Sequence, residues 1–193
     1  MNIIHLDEQL TLAINSLHSP FFDVLMFNLS KTFIWVPFYV FLMFFLWRQY
    51  GNKIIWLKIL FLVILVFVAD QTSVHWFKNV FERLRPCHNP ELAPYLHLVN
   101  GKCGGMYGFI SSHATNTFAL ASFLFFQMRQ KYSWIVWLFL WAGLISYSRV
   151  YLGVHYLGDV ICGALWGTVV GYVVFLLEQY VSKYIFKQNK VFE

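Results

Sequence analysis

The chain has 193 residues and a formal charge of +5; 59% of the residues are hydrophobic, 21% aromatic and only 12% charged. About a quarter of a soluble domain is charged, so the composition excludes that class and predicts an all-α, polytopic membrane helix bundle, a single domain over 1–193. It also sets aside a nucleic-acid partner. The basic residues stand in short stretches between apolar runs, where they set membrane orientation and meet anionic headgroups.

The first residues, Met1 to Glu8, show no basic cluster and no cleavage pattern, so no secretory signal is expected. Residues 6–19 put apolar side chains at helical spacing beside Asp7, Glu8 and Asn15, which predicts a short amphipathic helix on the membrane surface. Pro20 ends it and opens a second short helix over 21–30, carrying Asp23. Uncharged runs follow at 32–47, 59–69, 114–128, 132–148 and 160–177. A span needs about 20 mostly apolar residues. The second run reaches that length if Lys58 snorkels and the uncharged stretch after Asp70 extends it. Five spans are predicted. A sixth, built from 6–30, is the alternative, and Asp7, Glu8 and Asp23 argue against it.

Arg48 and Lys53 flank the first turn, Arg129 and Lys131 the second, and the tail carries Lys183, Lys187 and Lys190. By the positive-inside rule these belong to the cytoplasmic side. Segments 78–112 and 149–157 then emerge together on the other side of a bacterial inner (cytoplasmic) membrane, facing the periplasm of a diderm cell or the cell exterior. The longest irregular stretch, about 86–110, reads as a functional lid or rim. Arg83 and Glu82 read as a solvated surface pair. Trp35, Trp47, Tyr50, Trp56, Trp76, Tyr132, Trp134, Tyr180 and Tyr184 fall near span ends as interfacial belts.

Cys87 and Cys103 bracket that outer loop, and Cys162 lies in the last span. Two cysteines on an oxidising side suggest a disulfide, and closing about 15 residues stabilises by roughly 3 kcal/mol in the chain-entropy view. Zinc held with His88 and His97 is the alternative, disfavoured by the irregular spacing. Asp70, inside the second span, is either functional or an interfacial partner of His75, Ser73 or a neighbouring helix. Gly153 and Gly158 read as turn and close-packing positions.

Three fragments carry the chemistry: Lys78-x6-Arg85-Pro86, Ser111-Ser112-His113, and Ser148-Arg149-x5-His155-x3-Asp159. His155 and Asp159, four apart, share a helix face. Asp159 can take the proton on one ring nitrogen and leave the other as a free lone pair, which makes a nucleophile toward phosphorus. The plain reading is a stabilising i,i+4 pair. Ser111 and Ser112 precede an apolar helix, where a serine caps and free amides attract anions; His113 beside them can protonate a departing oxygen. A cap alone also explains the serines. Lys78, Arg85 and Arg149 suit a dianion, the arginines as forks and the lysine as a point charge; orientation and headgroup contact are the alternative. Ser148 can orient Arg149.

The order and spacing of these fragments resemble the type 2 phosphatidic acid phosphatase superfamily, which also holds soluble acid phosphatases and vanadium haloperoxidases. The motifs cover 78–159 and the flanking apolar runs match its membrane branch. The resemblance implies that His155 attacks phosphorus to form a phosphohistidine, that Asp159 orients it, and that His113 is the general acid. It implies that Lys78, Arg85, Ser111 and Arg149 hold phosphate oxygens, with backbone amides at Ser112 and His113, and that no metal or cofactor takes part. Two departures stand out. Ile110-Ser111-Ser112-His113 replaces the usual Pro-Ser-Gly-His, so Ser112 brings a hydroxyl where glycine allows close approach of backbone. The branch also commonly has six spans.

The resulting expectation is a lipid phosphatase acting on undecaprenyl pyrophosphate, a lipid A phosphate, phosphatidic acid or phosphatidylglycerophosphate. A phosphotransferase, a non-catalytic anion binder or transporter, and a haloperoxidase are the rivals. Oligomeric state is not written in the sequence.

Overall fold

The computed structural model describes residues 2–188; Met1 and 189–193, Lys190 among them, lie outside the described residues. Among the described residues seven α-helices run in chain order: α1 Ile3–Asn15, α2 Pro20–Leu29, α3 Val36–Thr72, α4 Asn79–Phe81, α5 Ser112–Met128, α6 Leu138–Tyr151 and α7 Leu157–Gln188. Among the described residues the only β pairing is an isolated bridge between Leu84 and Tyr107.

The N-terminal helices start where local chemistry directs. Asn2 caps α1 through the Ile4 amide, and Ser19 caps α2, with Pro20 in its first turn. Residues 16–19 form the turn between them, and the two axes bend by 115°. Together they make a bent pair, not a straight span. The outward face of α1 is apolar and exposed at Ile3, Ile4, Leu6 and Leu10.

Gly51, with φ 69° and ψ −177°, breaks α3 into two arms. Tyr39 and Met43 before it and Leu62 and Val66 after it wall one cavity, so the chain folds back there. Thr32–Phe81, Ser133–Tyr151 and Leu157–Ile185 are long and apolar enough to cross a membrane. Folded at Gly51, they account for four crossings, and α5 is the fifth bundle helix. At 17 residues α5 is short, but it is the central helix, with Ala114, Thr115, Ala119, Ala121, Ser122, Phe123 and Leu124 all buried. It meets protein on most sides, as an all-round apolar helix does.

The closest pairing is α5 with α7. A Cβ on Gly163 would stand 2.8 Å from the Ser111 carbonyl, and one on Gly167 closer still to that of Thr115. Glycines four apart on α7 thus let the two backbones touch, a packing mode that needs small residues. It sets the start of α5 beside the start of α7, where Ser111 N donates to the Asp159 carbonyl at 3.0 Å.

Lys58 does not snorkel. Its side chain is 1% exposed and its Nζ meets Glu178 Oε2 at 2.6 Å. Gln127 joins both, accepting from Lys58 at 2.9 Å and donating to Glu178 at 2.7 Å. The helix α7 itself runs on past Glu178, well beyond residue 177 where the uncharged run ends, with Tyr180, Tyr184 and Ile185 exposed. At that same end Lys131 Nζ donates to the Arg48 carbonyl at 3.4 Å, so the first two basic turns are neighbours.

The stretch 86–110 is a fastened rim, built from 3₁₀ turns at Pro86–His88, Ala93–Tyr95 and Val99–Gly101. Cys87 and Cys103 are disulfide-bonded, with Cα atoms 5.9 Å apart. His88 lies near the two sulfurs. His97 lies elsewhere, stacked on His18 and bonded to Asp23 at 2.9 Å, so the suggested Cys-His zinc set is not assembled. Asn15 bonds the His97 backbone in both directions, at 2.8 and 2.9 Å, and so ties the rim to α1.

Candidate active site

All three sequence fragments end at one face of the bundle. Lys78 closes a π-helical turn, Ser73–Lys78, that carries the second arm of α3 to the surface. Arg85 follows in an extended segment pinned by the Leu84–Tyr107 bridge and by Arg85 N donating to Met106 O at 3.0 Å. Ser111 is the N-cap of α5. Arg149 lies in the last turn of α6. His155 sits in the short connection to α7, just after Gly153, whose φ of +69° makes the turn, and Asp159 is in the first turn of α7.

His155 is 1% exposed. Its Nε2 lies 3.0 Å from Arg85 Nη1, and its Nδ1 3.4 Å from Asp159 Oδ2. A guanidinium only donates, so Nε2 is the acceptor and Nδ1 carries the proton, directed at the carboxylate. Burial, then the charges of Arg85, Arg149 and Lys78, hold the imidazole well below the usual histidine range. The ring is neutral, and its contact with Asp159 is a hydrogen bond, not an ion pair.

The cations converge on the same volume. Lys78 Nζ donates to Ser112 Oγ at 2.5 Å, and Ser73 Oγ meets Ser112 Oγ at 2.7 Å. The hydroxyl that stands where glycine is usual therefore anchors the lysine. Arg85 also donates to the Val154 carbonyl at 3.1 Å. Arg149 donates to Ser30 Oγ. Buried donors without a protein partner remain at Arg85 Nε and Arg149 Nε, so both guanidinium groups keep capacity for an oxyanion. Ser111 is wholly buried, and its Oγ accepts loosely from Ala114 N at 3.5 Å, leaving its own hydrogen free to donate. His113 faces Arg149, His155 and the backbone of Ser30. On its other side lies a cavity of about 390 Å³, walled by both arms of α3, by Leu120 and Leu124 of α5 and by Trp141 of α6.

Several expectations need correction. Arg83 is no solvated partner of Glu82: its Nη1 binds Asp159 Oδ1 at 2.9 Å and its Nη2 binds Asp7 Oδ2 at 2.8 Å. Ser148 does not orient Arg149; its hydroxyl donates to the Ile145 carbonyl at 2.6 Å. Asp70 takes no bond from His75, which pairs with Gln71; its carboxylate accepts from Gln71 Nε2 at 3.5 Å and its backbone carbonyl from Ser73 Oγ at 2.8 Å. Sequence reasoning missed the site contacts of Asp7 and Ser30, which reach in from the N-terminal segments, and of Ser73, which opens the turn that Lys78 closes. For Arg83 a signal existed. Residues two apart in an extended segment point the same way, so Arg83 faces inward with Arg85.

Residues 55–183 match the model of the PAP2 superfamily. The chain belongs to the PAP2 superfamily. It is a multi-pass membrane enzyme, a phosphatase of membrane lipids. This PAP2 chain is 37% identical over 175 residues to the lipid A 4'-phosphatase of Bacteroides thetaiotaomicron, covering 89% of the chain and 76% of that protein. It is 36% identical over 183 residues to the lipid A 4'-phosphatase of Porphyromonas gingivalis, covering 92% and 75%. In fold it is similar to the crystal structure of the transmembrane PAP2-type phosphatidylglycerolphosphate phosphatase from Bacillus subtilis, with a TM-score of 0.70 at 18% identity over 94% of the chain and 89% of that one. The family match starts at residue 55, so α1, α2 and the first arm of α3 lie outside it.

Proposed function

We propose that the chain removes a phosphate from lipid A at the periplasmic face of the inner membrane, through a phosphohistidine on His155. The observation that carries the chemistry is the neutral, tautomer-fixed His155 facing a pocket of three cations. The similarity to two lipid A 4'-phosphatases over about nine-tenths of the chain supports the substrate. The basic end near Arg48 and Lys131, away from the site, supports the orientation.

In the first step Arg85 turns its Nη1 from His155 to a phosphate oxygen, and the freed Nε2 attacks phosphorus in line. A P–N bond forms as the P–O bond to the sugar breaks. Lys78, Arg85, Arg149 and the free amides at the start of α5 hold the equatorial oxygens. His113 takes up a proton as the phosphate dianion enters beside it, gives that proton to the departing oxygen and is left neutral for the second step, with the lipid side of the substrate lying toward the cavity beside it. In the second step His113 takes a proton from water, whose oxygen attacks phosphorus, and the P–N bond breaks to release inorganic phosphate. Purified protein incubated separately with lipid A, phosphatidic acid, phosphatidylglycerophosphate and undecaprenyl pyrophosphate tests the assignment. Lipid A should lose its 4'-phosphate fastest, and His155→Ala should release none from any lipid. Faster release from another lipid, with lipid A intact, overturns the substrate.

A further inference from the structure

The groups around Asp159 extend one layer beyond the residues given roles above. Asp159 is fully buried, and its two oxygens do different things. Oδ2 faces His155 Nδ1 and accepts from Tyr156 N at 3.1 Å. Oδ1 accepts from Arg83 Nη1 at 2.9 Å. The other arm of that fork goes to Asp7 Oδ2 at 2.8 Å, and the guanidinium carbon lies over the Tyr156 ring, 3.7 Å from its centroid. Asp7 is itself fixed. Its Oδ1 accepts from Gly158 N at 2.7 Å, and a Cβ at position 158 would stand 2.8 Å from Oδ2. Thr11, one turn along α1, accepts from Leu157 N at 3.1 Å. So α1 caps the first amides of α7 and at the same time grips Arg83.

We propose that Arg83, held by Asp7 of α1, is a positioning residue that locks the Asp159 carboxylate toward His155, so that the N-terminal helix outside the family match is a working part of the active site. This rests on the phosphohistidine reading above. The physical case is that the His155–Asp159 contact is long, at 3.4 Å, and cannot fix the carboxylate by itself. Without Arg83 a buried carboxylate loses its charge partner. It then takes up a proton or swings away, and in either case stops holding the Nδ1 proton that keeps Nε2 free. Lysine cannot replace the residue fully, because only a planar fork reaches two carboxylates in fixed geometry.

The test is a cycle of Arg83→Met and Asp159→Asn, singly and together, with Arg83→Lys, Asp7→Asn and His155→Ala alongside, assayed for phosphate release from lipid A. Arg83→Met should lower kcat about 10- to 100-fold, the scale on which outer-layer partners of a working histidine act, with KM little changed. Arg83→Lys should recover part of the loss, and Asp7→Asn should lower kcat in the same direction by less. In the Asp159→Asn background Arg83→Met should add less than about twofold, because the arginine acts through that carboxylate. An equal loss in both backgrounds, a loss confined to KM, or an unchanged kcat overturns the inference. Turnover by His155→Ala is a separate outcome that removes the reading beneath it.

Discussion

A neutral histidine ringed by three cations looks electrostatically awkward, yet phosphoryl transfer asks for that state. In the proposed mechanism the cations that bind the phosphate dianion also disfavour a charged imidazole, so one arrangement would serve both binding and nucleophile. The sign of a pH effect follows. With its range pushed down by burial and by Arg85, Arg149 and Lys78, His155 stays deprotonated below pH 6.5. The acid limb of kcat/KM that belongs to this residue therefore lies below that pH. Lys78→Gln removes one cation, the imidazole holds its proton more readily, and the limb moves to higher pH. Substrate ionisation is common to both enzymes and drops out of the difference. Paired pH profiles check this; a limb that stays fixed or moves lower denies the cationic ring its effect on the ring nitrogen.

The elements supply what residues alone cannot. The glycine spacing on α7 sets its start against that of α5, and at the opposite end Lys58, Gln127 and Glu178 join the second arm of α3, α5 and α7. Breaking a buried pair by removing one partner costs about 3–5 kcal/mol, whereas removing both charges is often close to neutral. Lys58→Met should accordingly lower unfolding stability by about that amount. Lys58→Met/Glu178→Gln, which keeps an acceptor for Gln127 Nε2, should recover most of it. Thermal unfolding in detergent reads both, and a double variant as unstable as the single one would mean the cluster acts by hydrogen bonding more than by charge. The crossing helices were legible in the sequence because lipid demands long uncharged runs. Lys58 was misread for the same reason: its partner lies 120 residues away, and a lone charge near a run's end looks like a snorkelling one. The motif residues were legible as a set because their spacing survives in the chain. Asp7 and Ser30 were not, since their partners come from other helices and their neighbours in sequence say nothing of them; Arg83 carried only its two-residue spacing from Arg85, which turns it inward without naming the carboxylates it meets.

Across the whole molecule, three helix ends and a fastened rim meet at one face, with the apolar cavity beside His113 and the basic turns at the far end. The proposed mechanism gives the nucleophile to one histidine and proton transfer to the other, which makes the first half-reaction separable from the second. An aryl phosphate with an acidic leaving group does not need the His113 proton to depart, but water still needs a base to attack. In His113→Ala mixed with such a substrate, the phosphoenzyme should therefore form and persist. Rapid quenching followed by peptide mass spectrometry is the direct measurement: an acid-labile, base-stable phosphate on His155 is expected, lost in His113→Ala/His155→Ala. A phosphate carried by any other side chain, or continued turnover by the double variant, would show that His155 is not the group that attacks phosphorus.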